Sequence, residues 1–379
     1  MKTILSTVLL TFFFLIFVLP ITSYAKNTVN PSILNTRIEL ERLRFVNQTQ
    51  DGSVKRALRQ LYSSQYADIE RPYKALEVVE IAARESTPHE EQFKGDAHSA
   101  RAYALMWRIT QEKAYREKAL EIIKGWAFAF KDFKVIKGYR PQKYLESAWV
   151  IPIWISALDM LNRNAEGWSA TDEKQFESFI TKLHRYSRKA HRDNNWGTSA
   201  MLADISYAVY MQDDQLYYQQ LKKFRYYLAK LTNPNGTLNA DYLSDPWHPQ
   251  YTIIGLLHTA EVADNQGDRL FNITFPNENV PRLQKVLAHF TLLFTGELEN
   301  PKGLKKGNYK GAHNNKQGYQ IAFNAYAKGK FEQPWVKQLV DSWNPSNTSP
   351  LFMMWDRITH APEIVGSNMP NNEKLVIDN

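Results

Sequence analysis

Two short clusters hold the side chains best suited to chemistry. One is His191-Arg192-Asp193-Asn194-Asn195-Trp196-Gly197; the other, further along, is Asp245-Pro246-Trp247-His248-Pro249-Gln250-Tyr251. Side-chain amides can donate hydrogen bonds to a carboxylate, more strongly as charge builds up on it when a neighbouring carbon loses a proton. Asn195 suits that role, with Asn194 beside it, and Gly197 allows a turn or a close approach. The plainer reading is that both asparagines cap helices. His248 and Tyr251 stand three apart, so both can face one cavity from a helix. A phenol, with a free pKa near 10, moves protons only where charge or donors stabilise the phenolate. Otherwise this pair is a satisfied helix-start histidine and a half-buried core tyrosine. Trp196 and Trp247 add flat faces. Together these groups fit loss of a proton from the carbon beside a carboxylate, as in a uronic acid.

Other chemistries have weaker support. Asp193, Asp204, Asp241 and Asp245 offer carboxylates for an inverting glycoside hydrolysis, or act as caps and salt-bridge partners. His313 lies in a Gly/Asn/Lys loop. Neither a zinc-type histidine pair, an Asp-rich calcium loop nor a phosphate-cradling glycine loop is present. The absence of cysteine excludes thiol catalysis and cysteine metal sites. No metal or cofactor is expected.

The formal charge is +8, and the excess is clustered. Lys182, His184, Arg185, Arg188, Lys189, His191 and Arg192 crowd one segment; Lys302, Lys305, Lys306, Lys310, Lys316, Lys328 and Lys330 crowd another. Such patches steer polyanions or are simply solvated faces. Residues 1–25 read as a signal peptide: Lys2, an apolar run, Pro20, then Ser23-Tyr24-Ala25 at the cleavage site. An uncleaved anchor is the alternative. With cleavage the protein is periplasmic or secreted, without stable membrane insertion, and an acidic polysaccharide is a better partner than nucleic acid. Residues 26–366 read as the folded domain, above the ~250–300 at which single cores usually stop growing. Residues 367–379 read as a polar tail.

The elements that must position the two clusters are helical. Ala100, Tyr103, Ala104 and Trp107 form one stripe; Ala119, Ile122, Ile123 and Trp126 form the next. Ser169 and Asp172 have capping-box spacing, and the helix after them turns Phe176, Phe179, Ile180 and Leu183 inward. Tyr217, Leu221, Phe224, Leu228 and Leu231 make a further stripe. Helical patterns also cover 251–263, 282–294, 317–327 and 334–343. Only 133–136 reads as a strand. Helices of ~12–20 residues between turn signals predict stacked hairpins, without the fixed repeat of a solenoid. A closed or nearly closed ring of helix pairs buries every stripe and leaves a groove at one end. Aromatics are 13% of residues, so rings beyond the core's need can line that groove.

Several segments resemble the alginate lyase superfamily of exported polysaccharide lyases. The stretch 95–110, GDAHSARAYALMWRIT, with Tyr115 and Lys124-Gly125-Trp126, is similar to its early helix pair. Asp193 to Gly197 falls at its paired-asparagine motif. Asp245 to Tyr251, followed by 260–267, resembles its second catalytic segment, and 318–322 with 324–326 a late helix. The resemblance runs from Gly95 to Trp343. It implies an all-α (α/α) toroid and β-elimination without a redox cofactor. Carried over, Asn195 neutralises the uronate carboxylate, and Tyr251 takes the C5 proton, protonates the departing O4, or does both. His248 assists as base or charge partner. Asn194, Trp196, Trp247, Arg192 and Arg101 become substrate contacts. The chain departs from the pattern twice: Trp196 replaces a histidine and Ser244 an arginine. His248 would stand in for one, Arg192 or Arg101 for the other. A divergent member acting on alginate, glucuronan or a similar polyuronate is the expectation. A binding protein without activity, or a hydrolase on the same ring, are the alternatives.

Overall fold

The computed structural model describes residues 32–161, 166–312, 317–327 and 351–361. The leader, the tail, His313, Lys316, Lys328, Lys330 and the helix expected over 334–343 lie outside them. The described chain opens with α1 (Arg37–Arg42), a 3-10 segment (Leu43–Gln48) and α2 (Gly52–Tyr62), then β1 (Val78–Ala82). Next come α3 (Pro88–Thr110), α4 (Lys113–Ala129), β2 (Asp132–Lys137), α5 (Gln142–Leu161) and α6 (Ala170–Ser187). The second half holds α7 (Asn195–Met211), α8 (Asp214–Leu231), α9 (Trp247–Asn265), α10 (Arg282–Thr295), α11 (Tyr319–Ala327) and α12 (Asp356–Thr359).

Starts are set by local chemistry. Thr87 caps α3 by accepting from Glu90 N at 3.1 Å, with Pro88 at the first helical position, where its missing N–H costs nothing. Ser169 and Asp172 form the expected capping box at α6. The helices then sort into two layers. α4, α6 and α8 each bury one stripe. α5, α7 and α9 are buried around most of their circumference, as helices enclosed by others must be.

Within the inner layer α3 packs on α5, α5 on α7, α7 on α9 and α9 on α11. α11 meets α12, α12 meets α2 and the first 3-10 segment, and that segment meets α3, closing an all-α toroid. Successive contacts show that α3 and α5 run parallel: Lys94 meets Glu146, and Arg101 meets Ser156. One pair of parallel strands interrupts the helices, β1 against β2 with Val78 opposite Asp132. The strand expected at 133–136 is β2; its partner β1 gave no alternation strong enough to find. The main apolar core of the described residues runs from Ile33 to Ile358. Among the described residues no helix is long and apolar enough to cross a membrane.

Candidate active site

Asn194 caps α7, its Oδ1 accepting from Trp196 N at 3.0 Å. The capping reading is therefore right for Asn194, and its oxygen is already engaged. Asn195, one residue on, begins the helix and is buried at 2% exposure. Among the described residues its side-chain amide has no hydrogen-bond partner. Gly197 is required where it stands: a Cβ there would lie 1.9 Å from Arg192 O and 2.5 Å from the Tyr227 hydroxyl.

Gly255 does the same for the α7–α9 contact, where an added Cβ would lie 2.7 Å from Thr198 Oγ1. The two backbones can approach only because α9 has no side chain at that point. Thr198 lies about one turn past Asn195, and Gly255 about one turn past Tyr251. The first turns of α7 and α9 therefore sit side by side. A small cluster of Leu145, Trp149, Ile254 and Phe352 confirms it, with Trp196, Tyr251 and Leu351 packed on its edge. α5, α7 and α9 thus bring their N-terminal ends to one place. Helix N-termini carry about half a positive charge each and favour anions.

On α9 the helix starts at Trp247, four residues before the periodic pattern, so His248 and Tyr251 share its first turn. Asp245 arranges that turn. Its Oδ1 accepts from Trp247 N at 2.8 Å and His248 N at 3.0 Å, and its Oδ2 accepts a hydrogen bond from His248 Nδ1 at 2.7 Å. With its hydrogen on Nδ1, the imidazole carries its lone pair on Nε2. The His248 side chain is 48% exposed. The Tyr251 ring lies edge-on to it with centroids 5.8 Å apart, and rests on Phe352 at 5.7 Å. Burial, and then the Asp245 carboxylate, push the Tyr251 phenol above its ordinary value, while Lys94 pulls the other way. Tyr251 is thus a phenol at neutral pH.

Lys94 belongs to a group that sequence reasoning missed. Its ammonium lies 2.6 Å from both Glu90 and Glu146 and 5.2 Å over the Trp149 ring. Burial and the neighbouring Glu146 raise the Glu90 carboxyl to about 7. Glu90 and Lys94 follow i,i+4 spacing, but Glu146 comes from another helix and left no signal in the sequence.

The remaining expected contacts divide. Arg192 lies over Trp196 at 4.0 Å and over Tyr139 at 5.4 Å, and donates to the Tyr139 hydroxyl at 2.9 Å. Lys306 of the second basic segment lies 5.6 Å over the ring of Trp247. Arg101 is buried in the ring, its Nε on Ser156 Oγ at 3.0 Å and its Nη1 on the Met354 carbonyl. The expectation that Arg101 contacts substrate is corrected: a guanidinium so enclosed ties α3 and α5 to the closing segment. The carboxylates for hydrolysis are also committed. Asp245 holds His248, Asp193 accepts from Tyr226 at 2.9 Å, and buried Asp204 lies between His184 and His191. Asp241, half-buried in a turn at positive φ, faces no second free carboxylate described here.

Comparisons with known proteins bear on the family and the fold. A family model described as alginate lyase matches residues 46–297. A tetrasaccharide complex of a tyrosine-to-phenylalanine variant of alginate lyase A1-III is similar with TM-score 0.60 and 16% identity, over 79% of this chain and 86% of that one. Alginate lyase A1-III from Sphingomonas species A1 gives 0.56 and 14%, over 83% and 93%. An alginate lyase from Bacteroides ovatus gives 0.67 and 11%, over 88% and 100%. At these identities the likeness is one of fold. No curated protein matches the chain.

Proposed function

The chain belongs to the alginate lyase family, and from that premise we propose that it cleaves a 4-linked polyuronate by β-elimination. The observation that carries the reading is the oriented Asp245–His248 pair beside a protonated Tyr251, level with the free amide of Asn195. Asn195 donates to the uronate carboxylate and stabilises the enolate-like charge as it develops. His248 Nε2 removes the C5 proton, and Asp245 supports the imidazolium that forms. The C5–H electron pair becomes the C4=C5 double bond as the C4–O4 bond breaks. Tyr251 gives its proton to the departing O4, and solvent restores both groups. Here His248 supplies the base that the family's histidine, replaced by Trp196, would otherwise support. Arg192 on Trp196 supplies positive charge that Ser244 lacks. The leader read from the sequence supports action outside the cytoplasm. Among the described residues the carboxylates weighed for hydrolysis are engaged, with Asp245 on His248, Asp193 on Tyr226 and Asp204 between two histidines.

Incubation with alginate, glucuronan and related polyuronates should produce the ultraviolet absorbance of an unsaturated uronate. Tyr251→Phe should lower that rate by ~10²–10⁴-fold with an unchanged circular dichroism spectrum. A wild type silent on the whole panel, but still binding it, would favour a polysaccharide-binding role.

A further inference from the structure

Lysines on the outer face near β2 are held in two different ways. Lys131, Lys134 and Lys137 each reach a carboxylate: Glu77 at 2.7 Å, Glu80 at 3.0 Å and Glu85 at 2.6 Å. Their charges are neutralised locally. Lys143 and Lys189 rest on aromatic rings instead. Tyr144 and Tyr186 stack with centroids 6.3 Å apart and planes 19° apart. Lys143 lies 4.6 Å over Tyr186, and Lys189 lies 5.6 Å over Tyr144. Arg192 repeats the device on Trp196 and Tyr139. Among the described residues none of the three is ion-paired with a carboxylate.

A ring face orients a cation without cancelling its charge. It also removes side-chain freedom before any ligand arrives, so less is lost on binding. The nearby acids are spent on hydroxyls: Asp132 accepts from Tyr186 and Asp193 from Tyr226. Lys143, Lys189 and Arg192 lie on two interlocked segments, 139–144 and 186–192, which lead from the outer surface to Trp196. Trp196 in turn packs on the Tyr251 cluster. Arg140 and Arg188, on the same two segments, are exposed.

From this contrast we infer that Lys143 and Lys189, leading to Arg192 at the edge of the site, form a preorganised cationic row that holds successive uronate carboxylates from the cleavage position outward. The inference rests on the reading above and deepens it: the preferred substrate is a long polyanion and not a short oligomer. A trisaccharide occupies only the cleft; a polymer also occupies the row.

The test compares the wild type with Lys143→Gln/Lys189→Gln and with Lys131→Gln/Lys134→Gln, two variants of equal charge loss. Kinetics are read on polymeric polyuronate and on a trisaccharide, and binding by migration in native gels containing the polymer. In the row variant KM for polymer should rise about tenfold, its salt dependence should flatten, and kcat and trisaccharide kinetics should hold. The strand variant should match the wild type. Equal effects of the two variants, equal losses on both substrates, or no loss would each overturn the row. Gel retardation that depends on the row, without any unsaturated product, would sink the elimination reading and leave the row standing. Product formation with wild-type behaviour of the row variant would do the reverse.

Discussion

The two polar regions of the ring differ in how their groups are used. At the closing segment, Arg357 binds Ser53, Asp51 at 2.8 Å and Gln320, and Arg101 binds Ser156 and Met354. His360, held up to about 9 because its contact with Glu261 outweighs burial, sits 3.4 Å from that carboxylate. Both arginines and this histidine are satisfied from within the protein, as buried charge requires. At the N-terminal ends of α5, α7 and α9, the Asn195 amide and His248 Nε2 have no such partner among the described residues. The lesson is that polar side chains close the ring where their bonds are complete, and are available to a substrate where their bonds are left open over helix N-termini.

Substitutions at the two regions should therefore fail in different ways. His248→Gln removes the proton acceptor but keeps a side chain of similar reach. It should cut kcat by ~10²–10³-fold, with the melting temperature within about 2 °C of wild type. A large loss of stability instead would place His248 in the structural class. Arg101→Ala should do the opposite. Losing its packing and leaving the Ser156 hydroxyl and Met354 carbonyl without a partner costs about 3–5 kcal/mol, which corresponds to a melting temperature lower by roughly 5 °C. Activity per folded molecule at low temperature should stay within a few-fold of wild type, measured after correction for the folded fraction. A selective loss of kcat in a stably folded Arg101→Ala would restore Arg101 to the cleft and erase the contrast.

Much of the ring was legible because its outer helices obey one rule. Phe176, Phe179, Ile180 and Leu183 are buried as their spacing requires, behind the Ser169–Asp172 box. α5 was harder, since a helix enclosed on all sides has no stripe to read, and Pro152 lies inside it. Within the site, spacing put His248 and Tyr251 near one helix start but left open a satisfied helix-start histidine beside a core tyrosine. Asp245 was visible as a carboxylate, but its grip on the His248 ring depends on a helix start that lies earlier than the periodicity indicates. Arg101 misled because its motif resemblance carries no information about burial. Glu146 and Tyr139 escaped because each gains its meaning from a partner on a different element.

The most direct measurement is a crystal structure of Tyr251→Phe soaked with an acidic tetrasaccharide. The account predicts a uronate carboxylate within about 3 Å of Asn195 Nδ2, with C5 facing His248 Nε2 and O4 above the position vacated by the phenol oxygen. A tetrasaccharide bound elsewhere on the ring, or in this cleft with its carboxylate turned away from Asn195, would contradict it.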